Sequence, residues 1–425
     1  MKILFIVPYT PNLIRVRSYQ LICSLARRGH QVTVATLWTN EAEREDLDKL
    51  RALGVTVVAH PAPMWRSLVN TLVALPTQTP LQAVYSWQPA LAHTIRTLIQ
   101  TQRFDVVHTE HLRGACYGLL ARSLKRQDGS SAPVVWDSVD CISHLFQQAV
   151  QNSRSLKGRL LTGLDLKRTQ QYEGKLVRQF AHVLVTSPTD RRALAQLADQ
   201  AGTIQREPAR PSDPTVQNHQ IHVLPNGVDL AYFTPNGAQR EAATIVFSGK
   251  MSYHANITAV IHLVNEIMPQ VWSVRPDAKV VLVGKDPTAA VRALERSNVV
   301  VTGTVADLRP FLQHATIAVA PIPYGAGIQN KVLEAMACAA PMIASPQASS
   351  ALQVQAGHDL LIAPTIEHFA QTIVQLLVNR SRQAELGRAG RTYVEHYHAW
   401  DTAATQLEDI YQTAIVEHQR RLSWT

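Results

Sequence analysis

The sequence predicts two doubly wound α/β domains in tandem, and three observations support this fold class. First, 425 residues are enough for two domains that each bury a hydrophobic core. Second, short apolar runs alternate with helical patterns in both halves, which is typical of parallel sheets covered by helices on both faces. Third, the polar and proline-rich stretch 201–220 separates the two series and is predicted to be a linker or surface loop.

The predicted strands follow one another in two series. The strands of the first series are KILFIV, QVTVATL, VTVVAH, FDVVHTEH, APVVWDS and HVLVTS. The amphipathic stretch RSYQLICSLARRGH follows the first of them and is predicted to be a helix. The second consists of IHVLPN, ATIVFSG, KVVLVG, VVVTGT, IAVAPI and PMIAS, and the final WDTAATQLEDIYQTAIVEHQRRL is predicted to form one amphipathic helix. In such folds ligands bind beyond the carboxyl ends of the strands, so candidate site residues are sought there.

Composition and charge indicate a globular protein with an anionic partner. The formal net charge of +9 favours a nucleotide, a phosphorylated substrate, an acidic membrane surface or nucleic acid. No interleaving of aromatic and basic residues supports nucleic acid, so none is predicted as a partner. The four cysteines show neither metal nor disulfide spacing, which fits a reducing compartment.

The opening MKILFIVPYTPN is predicted to be a buried strand rather than a signal peptide. No apolar run approaches the roughly 18 residues that a membrane span needs. We therefore expect a cytoplasmic protein.

The stretch YGAGIQNKVLEAMACAAP combines a glycine loop with a helix that starts near Asn330. Gly325 and Gly327 allow close approach of the backbone to a ligand, and the helix start offers N–H groups and a positive dipole end. Lys331 adds a charge suited to phosphate, and Glu334 one turn later suits the vicinal diol of a ribose. The alternative is an exposed ion pair on a helix face.

Further glycines and polar residues follow other predicted strands of the same half. Gly249 and Lys250 follow IVFS and suit a second phosphate oxygen. Asn226 lies in the tight turn PNG after HVL, and Gly303 ends VVVTG. Because carboxyl ends of parallel strands share one edge, these residues are expected to surround one site.

Four segments in order, PNGVDLAYFTP, FSGKMS, VTGTV and VLEAMACAAPMIAS, resemble the nucleotide-binding half of family 4 retaining glycosyltransferases over about residues 220–365. The first half is similar more loosely, through MKILFIVPYTP, LARRGHQVTVAT, FDVVHTEHLRG and VLVTSPTDRRAL. The resemblance implies the GT-B architecture, with two Rossmann-like domains facing across a cleft. It assigns acceptor binding to 1–205, with about 400–425 packing back onto that domain, and nucleotide-sugar binding to 206–399.

The chain departs from the family's E-x7-E pattern. Glu334 matches the second glutamate, which binds the donor ribose, while Ala326 stands where the first is expected. Lys250 matches the arginine after the phosphate-binding glycine, and Ala255 replaces a lysine five residues later. Lys331 stands where the family often has proline. Our hypothesis is that Lys331 replaces the lost cation at the diphosphate.

The resemblance implies retaining transfer by front-face displacement, with Lys250 and Lys331 stabilising the charge that develops on the leaving diphosphate. A UDP- or GDP-sugar is expected as substrate, with no cofactor. No metal is implied, because no D-x-D-like pair lies in a suitable loop. The residues expected to bind the donor are Gly249, Asn226, Gly303, Val305, Gly327, Ile328, Val332 and Glu334.

Candidates in the first half lie after its predicted strands. Asp137 replaces a family histidine and is expected to contact a sugar or acceptor hydroxyl, or to stabilise charge at the anomeric carbon; the alternative is a cap for the helix SHLFQQAV. Glu110 and His111 are expected to line the acceptor site, and the spacing of HTEH makes a metal site the weaker alternative. Arg15 and Arg17 are expected to reach the diphosphate or an anionic acceptor, or else to form a solvated first helical turn.

The stretch 154–180 has seven basic and two acidic residues with interspersed leucines. A basic amphipathic helix can lie on an anionic membrane, which would suit a lipid-linked acceptor and a peripheral position at the inner membrane face. The alternative is a surface helix packed on the sheet.

The leading function is therefore a glycosyltransferase in glycan, glycolipid or exopolysaccharide synthesis, acting on a carbohydrate or lipid-linked acceptor. One alternative is a sugar-nucleotide epimerase of the same fold, which lacks the LEAMACAAP type of helix start. The other is a non-catalytic nucleotide-sugar-binding protein, which the alanine at position 326 makes credible.

Overall fold

The computed structural model describes residues 1–152, 156–204, 220–237, 239–324 and 327–423, with the backbone alone for 148–152, 156–164 and 203–204. The chain forms two compact units. The first consists of Met1–Pro225 together with Trp400–Thr425, and the second of Asn226–Ala399. The predicted boundary between 205 and 206 thus lies before the observed division between Pro225 and Asn226.

The first unit is built on a parallel sheet with strand order β3-β2-β1-β4-β5-β6-β7. Strand β1 lies inside the sheet, and Ile3 pairs with Val32 on one side and with Val106 on the other. The strands are β1 Lys2–Val7, β2 Gln31–Trp38, β3 Thr56–Pro61, β4 Val106–Glu110, β5 Val134–Val139, β6 His182–Val185 and β7 Gln220–Val223.

Helices cover both faces of this sheet. The alternation of side chains along β1 explains its uniformly apolar run: Leu4 and Ile6 enter one core, and Ile3, Phe5 and Val7 enter the other. The helices of the first unit that precede the division are α1 Val16–Arg27, α2 Glu41–Ala52, α3 Met64–Ala74, α4 Leu81–Val84, α5 Pro89–Thr101, α6 His111–Ser123, α7 Ile142–Asn152, α8 Leu156–Gln179 and α9 Pro188–Ile204.

The run IHVLPN was expected to open the second sheet, and that prediction was wrong. Strand β7 pairs in parallel with β6, with Gln220 opposite His182 and Val223 opposite Val185. A four-residue apolar run satisfies the free edge of either sheet equally well, so its pattern alone does not determine its partner. The second sheet therefore begins with ATIVFSG.

The second unit contains a parallel sheet with strand order β10-β9-β8-β11-β12-β13, which confirms the predicted pair of doubly wound domains. Its strands are β8 Thr244–Ser248, β9 Lys279–Val283, β10 Val299–Gly303, β11 Ile317–Ala320, β12 Met342–Ala344 and β13 Leu361–Ile362. Its helices are α10 His254–His262, α11 Met268–Val274 (joined to α10 by the π-helical turn Leu263–Ile267), α12 Ala289–Arg292, α13 Arg309–His314, α14 Asn330–Ala337, α15 Pro346–Ser349, α16 Ile366–Val378 and α17 Arg380–Tyr397.

After the second unit the chain returns to the first through helix α18 (Trp400–Leu422), as predicted. The buried Tyr411 shares a hydrogen bond of 2.9 Å with Nδ1 of His108 on β4. At the surface, Arg28 donates two hydrogen bonds of 2.7 Å to Glu408. Helix α18 is therefore part of the first core rather than an appendage. Among the described helices, none combines the length and apolar character that crossing a bilayer requires.

Candidate active site

Two strand ends of the second unit approach each other at glycine residues. Gly249 follows β8, Gly284 follows β9, and both have a φ of 151°, which L side chains rarely adopt. A Cβ atom on Gly284 would lie 1.8 Å from the carbonyl oxygen of Gly249. The edge of the sheet at β8 and β9 is thus closed to side chains and leaves backbone exposed to a ligand.

Lys331 lies beside this edge. Its Cε atom is 3.3 Å from the position that a Cβ on Gly249 would occupy, and its Nζ lies 5.6 Å from the centre of the Phe247 ring. Nζ also donates a hydrogen bond of 3.2 Å to Oε1 of Gln329. The structure therefore brings together two residues, Gly249 and Lys331, that the sequence placed at a phosphate site.

Glu334 lies one turn further along α14, and the two charged groups influence each other. Burial lowers the pKa of Lys331 to about 8, against the opposing effect of the Glu334 carboxylate. Burial likewise raises the pKa of Glu334 to about 7, against the opposing charge of Lys331. Both groups are poorly solvated, so an anion for the ammonium and hydroxyl donors for the carboxylate would compensate them.

The loop before α14 offers backbone groups, but fewer than the sequence suggested. Gly327 has a φ of 68°, and no side chain caps the start of α14. Ile328 is buried in the core. Val332 differs from its predicted role, because its side chain is fully buried and its N–H donates to the carbonyl of Gln329. Gly325 and Ala326 lie outside the described residues.

Lys250 is half exposed, and its Nζ lies 3.8 Å from Oδ2 of Asp286. Sequence reasoning missed this carboxylate, which competes for the charge that was assigned to the diphosphate. Asp286 has a φ of 56° in the loop after β9, and its position in VGKDP was the available signal.

Of the remaining predicted donor residues, Gly303 and Val305 lie at and just after the carboxyl end of β10, whereas Asn226 lies in the turn after β7. The carbonyl of Asn226 accepts a hydrogen bond of 2.8 Å from Nδ1 of His398, which anchors the turn. Gly303, at the end of β10, has a φ of 69° and open space around it. Val305 is partly buried against the core.

In the first unit, Arg17 and Asp137 form a buried ion pair. Nε of Arg17 donates to Oδ2 of Asp137 at 2.8 Å, and Nη1 donates to the carbonyl of Leu224 at 3.0 Å. Neither side chain is more than 5% exposed. The sequence suggested that Arg17 either reaches a diphosphate or an anionic acceptor or lies in a solvated first helical turn. The buried ion pair with Asp137 differs from both. A buried guanidinium needs a counter-charge, and Asp137 supplies it.

The alternative of a cap for α7 was wrong for Asp137. The N–H groups of Ile142 and Ser143 donate to the carboxylate of Glu173 at 2.8 and 3.0 Å, and that of Cys141 donates to Asp190. Burial raises the pKa of Glu173 to about 7. A carboxylate more than thirty positions away in the sequence thus caps the helix, which local patterns do not reveal.

Glu110 ends β4 as a buried carboxyl group held by Tyr9, whose hydroxyl donates to Oε1 at 2.6 Å. Burial and the neighbouring charge of Asp137 raise the pKa of Glu110 to about 7, against the effect of the Tyr9 hydrogen bond. Sequence reasoning missed Tyr9, although VPYTP after the first strand contains it. Glu110 is thus able to exchange a proton near neutral pH.

His111 begins α6 with a φ of 67°, a conformation that costs a non-glycine residue energy and often marks functional positions. Burial, together with the charge of Arg113, lowers the pKa of His111 to about 4, so the ring is neutral at pH 7. The N–H of Arg113 donates to Nδ1 at 3.3 Å, which leaves the ring proton on Nε2. Nε2 can therefore donate a hydrogen bond to a ligand oxygen.

Arg15 completes this edge of the first sheet. Its guanidinium lies 4.9 Å from the centre of the Tyr9 ring and forms an ion pair of 3.2 Å with Glu43. The structure therefore connects Arg15 to Glu110 through Tyr9. Among the described residues, no group of three or more His, Cys, Asp or Glu side chains is placed to hold a metal ion.

Two family models match the chain. Residues 14–208 match the family described as "Glycosyl transferase 4-like domain", and residues 242–379 match "Glycosyl transferases group 1". Together they cover most of both units. The first match lies in the first unit and the second in the second unit, and the two Rossmann-like sheets have the GT-B architecture.

Curated relatives are similar over part of the chain. A GDP-mannose-dependent monoacylated alpha-(1-6)-phosphatidylinositol monomannoside mannosyltransferase from Corynebacterium glutamicum is 29% identical over 211 residues, 45% of this chain and 55% of the relative. A D-inositol 3-phosphate glycosyltransferase from Salinispora tropica is 25% identical over 242 residues, 50% of this chain and 49% of the relative. The chain spans about half the length of the curated relatives it matches.

Solved structures match nearly the whole chain at low identity, which concerns the fold alone. Sucrose-phosphate synthase from Thermosynechococcus elongatus has a TM-score of 0.64 and 15% identity, covering 98% of this chain and all of the other. The Anabaena protein HepE in complex with UDP-glucose has a TM-score of 0.60 and 14% identity, covering 97% of this chain and all of the other.

Proposed function

We propose that this protein is a retaining glycosyltransferase that moves a sugar from a nucleotide-diphosphate donor to an acceptor hydroxyl. The observation that carries the proposal is the position of the Lys331 ammonium, beside the glycine edge at Gly249 and one helical turn from the Glu334 carboxyl. An ammonium next to exposed backbone suits a diphosphate, and a carboxylate at this separation suits a ribose diol.

The donor in this proposal is a UDP- or GDP-sugar held by the second unit. Support comes from the names of relatives and neighbours: one acts on GDP-mannose, and HepE was solved with UDP-glucose. Backbone groups at Gly249, Gly327 and Ile328 would approach the diphosphate, and Gly303 with Val305 would lie near the nucleoside. Asn226 would shape the turn that follows β7.

The chemistry follows from where charge develops. As the bond to the anomeric carbon breaks, negative charge grows on the departing diphosphate, and a fixed ammonium stabilises it more than it stabilises the ground state. Lys331 supplies the ammonium group, and the uncapped start of α14 adds its N–H groups. Lys250 contributes when its ammonium leaves Asp286 and contacts the phosphate instead. The diphosphate oxygen takes the proton of the acceptor hydroxyl as that hydroxyl attacks the same face of the sugar.

The acceptor in this proposal is a carbohydrate or a lipid-linked sugar bound by the first unit. Glu110 and the Nε2–H of His111 are the groups suited to hydrogen-bond the acceptor hydroxyls. Arg15 is suited to bind an anionic part of the acceptor. Asp137 acts indirectly, by holding the guanidinium of Arg17 in place. Two curated relatives are named for glycosylating phosphatidylinositol monomannosides. A peripheral membrane contact through 154–180 stays a prediction, since much of that segment lies outside the described side chains.

A second candidate is a nucleotide-sugar-binding protein without transferase activity, favoured by Ala326 at the position of the family's first glutamate. Both candidates bind the donor, and only the first consumes it. A thermal-shift screen of UDP-, GDP-, ADP- and dTDP-sugars and the free nucleotides identifies the donor. Incubation with that donor and candidate acceptors then separates the two: release of nucleoside diphosphate supports transfer, and its complete absence supports the binder. Stabilisation by no nucleotide would refute both.

A further inference from the structure

Helix α3 presents an apolar face to solvent and a polar face to the protein. The exposed side chains recur in pairs every four residues and are between 41% and 77% exposed; they are Met64, Trp65, Leu68, Val69, Leu72 and Val73. We call these six residues the α3 apolar face. A helix that packs on a globular domain usually has the opposite arrangement, with its apolar stripe toward the core.

The side of α3 that faces the protein is polar or small. Nδ2 of Asn70 donates a hydrogen bond of 2.8 Å to the carbonyl of Trp87, and Thr71 donates to the carbonyl of Ser67. Ala74 is buried on the same side. The hydrogen bond from Asn70 to Trp87 and the burial of Ala74 fix the rotation of the helix, so the apolar face cannot turn inward without losing them.

We propose that the α3 apolar face docks on the surface of an anionic lipid bilayer. Contiguous exposed apolar patches mark interaction sites, and a helix with this pattern lies in the interface with its apolar side chains among the acyl chains. Trp65, at the first turn, is a residue type that concentrates at membrane interfaces. The apolar side chains lie on α3 and not on the basic stretch 154–180, which contributes Lys167 and Arg168 near the end of α3. Docking of this surface does not depend on sugar transfer.

Charge selects a bilayer over a second copy of the chain as the occupant. Helix α3 itself contains Arg66 and no Asp or Glu. At the end of α3, Nη2 of Arg168 donates to the carbonyl of Leu75, and Lys167 is exposed beside it in sequence. Two such surfaces would repel each other, whereas anionic head groups complement them.

The location also suits access to the candidate acceptor residues. Strands β1, β3 and β4 run parallel in one sheet, so the loops that follow them leave from the same edge. Helix α3 begins three positions after β3 ends, and exposed Leu13 and Ile14 lie in the loop after β1. Docking would place this edge of the first unit next to the bilayer.

The test is sedimentation of the full chain with vesicles of phosphatidylcholine alone or with added phosphatidylglycerol. The variant Leu68→Ser with Leu72→Ser removes two side chains that are 62% and 65% exposed. The matched control is Val274→Ser with Val378→Ser, which removes two side chains that are 61% and 67% exposed in the second unit. We expect wild type and control to bind the anionic vesicles. The α3 variant should bind them with an affinity lower by about tenfold or more.

A second measurement locates the contact. Because the chain has seven tryptophans, the signal of Trp65 is the difference between the wild-type spectrum and that of Trp65→Phe. We expect that difference to shift to shorter wavelength on adding anionic vesicles. Absence of wild-type binding to either vesicle, or equal binding by the α3 variant, overturns the proposal. The proposal is also overturned if the wild-type protein is a dimer, the α3 variant is a monomer, and neither protein binds vesicles. The α3 apolar face would then be the contact surface for a second copy of the chain.

Discussion

At the residue scale, the candidate donor site depends on two side chains with shifted pKa values. Lys331 and Glu334 would be unremarkable as a solvated pair on a helix, since such pairs contribute little to stability. Partial burial beside a glycine edge changes their chemistry, because each group then lacks the water that would stabilise its charge. A ligand carrying phosphate and a diol supplies what both groups lack.

The first prediction concerns Lys331→Ala. Removing a charge-assisted contact to the diphosphate should weaken donor binding, or raise KM for the nucleotide-sugar, by about 10- to 100-fold. The matched control is Lys279→Ala, an exposed lysine at the start of β9 and thus at the opposite end of the sheet. Calorimetric titration with the donor checks both variants, and equal affinities for wild type and Lys331→Ala would remove Lys331 from the site.

The second prediction concerns pH. The donor needs an ionised Glu334 and a protonated Lys331, whose pKa values in the free protein are about 7 and about 8. Affinity should therefore fall below pH 7 as Glu334 gains a proton, and above pH 8 as Lys331 loses one. Titrations with the intact nucleotide-sugar should give a bell-shaped profile. Glu334→Gln should abolish the acidic limb and move the alkaline limb to lower pH, because the carboxylate no longer raises the pKa of Lys331. An unchanged acidic limb would assign it to another group.

At the element scale, the strand ends at β8 and β9 decide how closely a ligand can approach the sheet. Gly249 and Gly284 share an unusual φ and nearly touch, so neither strand end has room for a side chain. The Lys331 chain then lies over Gly249. Two strands and one helix thus build the site jointly, and a change at one glycine should disturb the others.

The third prediction compares two glycines with positive φ. Gly284→Ala would place Cβ 1.8 Å from a backbone oxygen, so the strand ends must separate, at a cost of about 3 kcal/mol or more. Gly237→Ala has a φ of 71° but open space, so it should cost only about 1–2 kcal/mol. Calorimetric unfolding measures both. A similar loss of Tm in the two variants would show that backbone conformation, rather than the close approach of the strands, determines the cost.

The sequence predicted where strands and helices lie better than it predicted which segments contact each other. Apolar runs and glycines located the strands of both sheets except β13 and placed Lys331 at a strand edge, because these features are local. Nothing local assigns β7 to the first sheet, pairs Arg17 with Asp137, or brings Glu173 to the start of α7. Each of those contacts joins segments distant in sequence, and a charged residue has the same appearance in sequence whether it faces solvent or a buried partner.

Helix α3 is a second case in which a local pattern does not determine the contacts that the segment makes. Its pattern of apolar pairs is compatible with an ordinary amphipathic helix, and the periodicity does not say which face points inward. The exposure of its six apolar side chains and the contact of Asn70 with Trp87 reveal the inverted orientation.

At the scale of the whole molecule, the second unit is inserted between two parts of the first. The chain leaves the first unit after Pro225 and returns at Trp400. The core of the first unit includes Trp400, Leu407 and Tyr411 from helix α18. The first unit is therefore incomplete without a segment that lies far from it in sequence.

The fourth prediction follows from that arrangement. Tyr411→Phe keeps the ring and removes the hydrogen bond to His108, leaving a buried nitrogen with one partner fewer, so it should destabilise the first unit by about 1–3 kcal/mol. Tyr397→Phe, an exposed residue at the end of α17, is the control and should be near neutral. Calorimetry of the two variants checks this, and equal Tm values would show that the hydroxyl contributes nothing.

The return of α18 also sets an order of events during synthesis. The ribosome makes the seven strands of the first sheet well before it makes the helix that completes their core, and the whole second unit emerges in between. The domain translated first should therefore finish folding last, and its partly uncovered sheet would be available to chaperones during that interval.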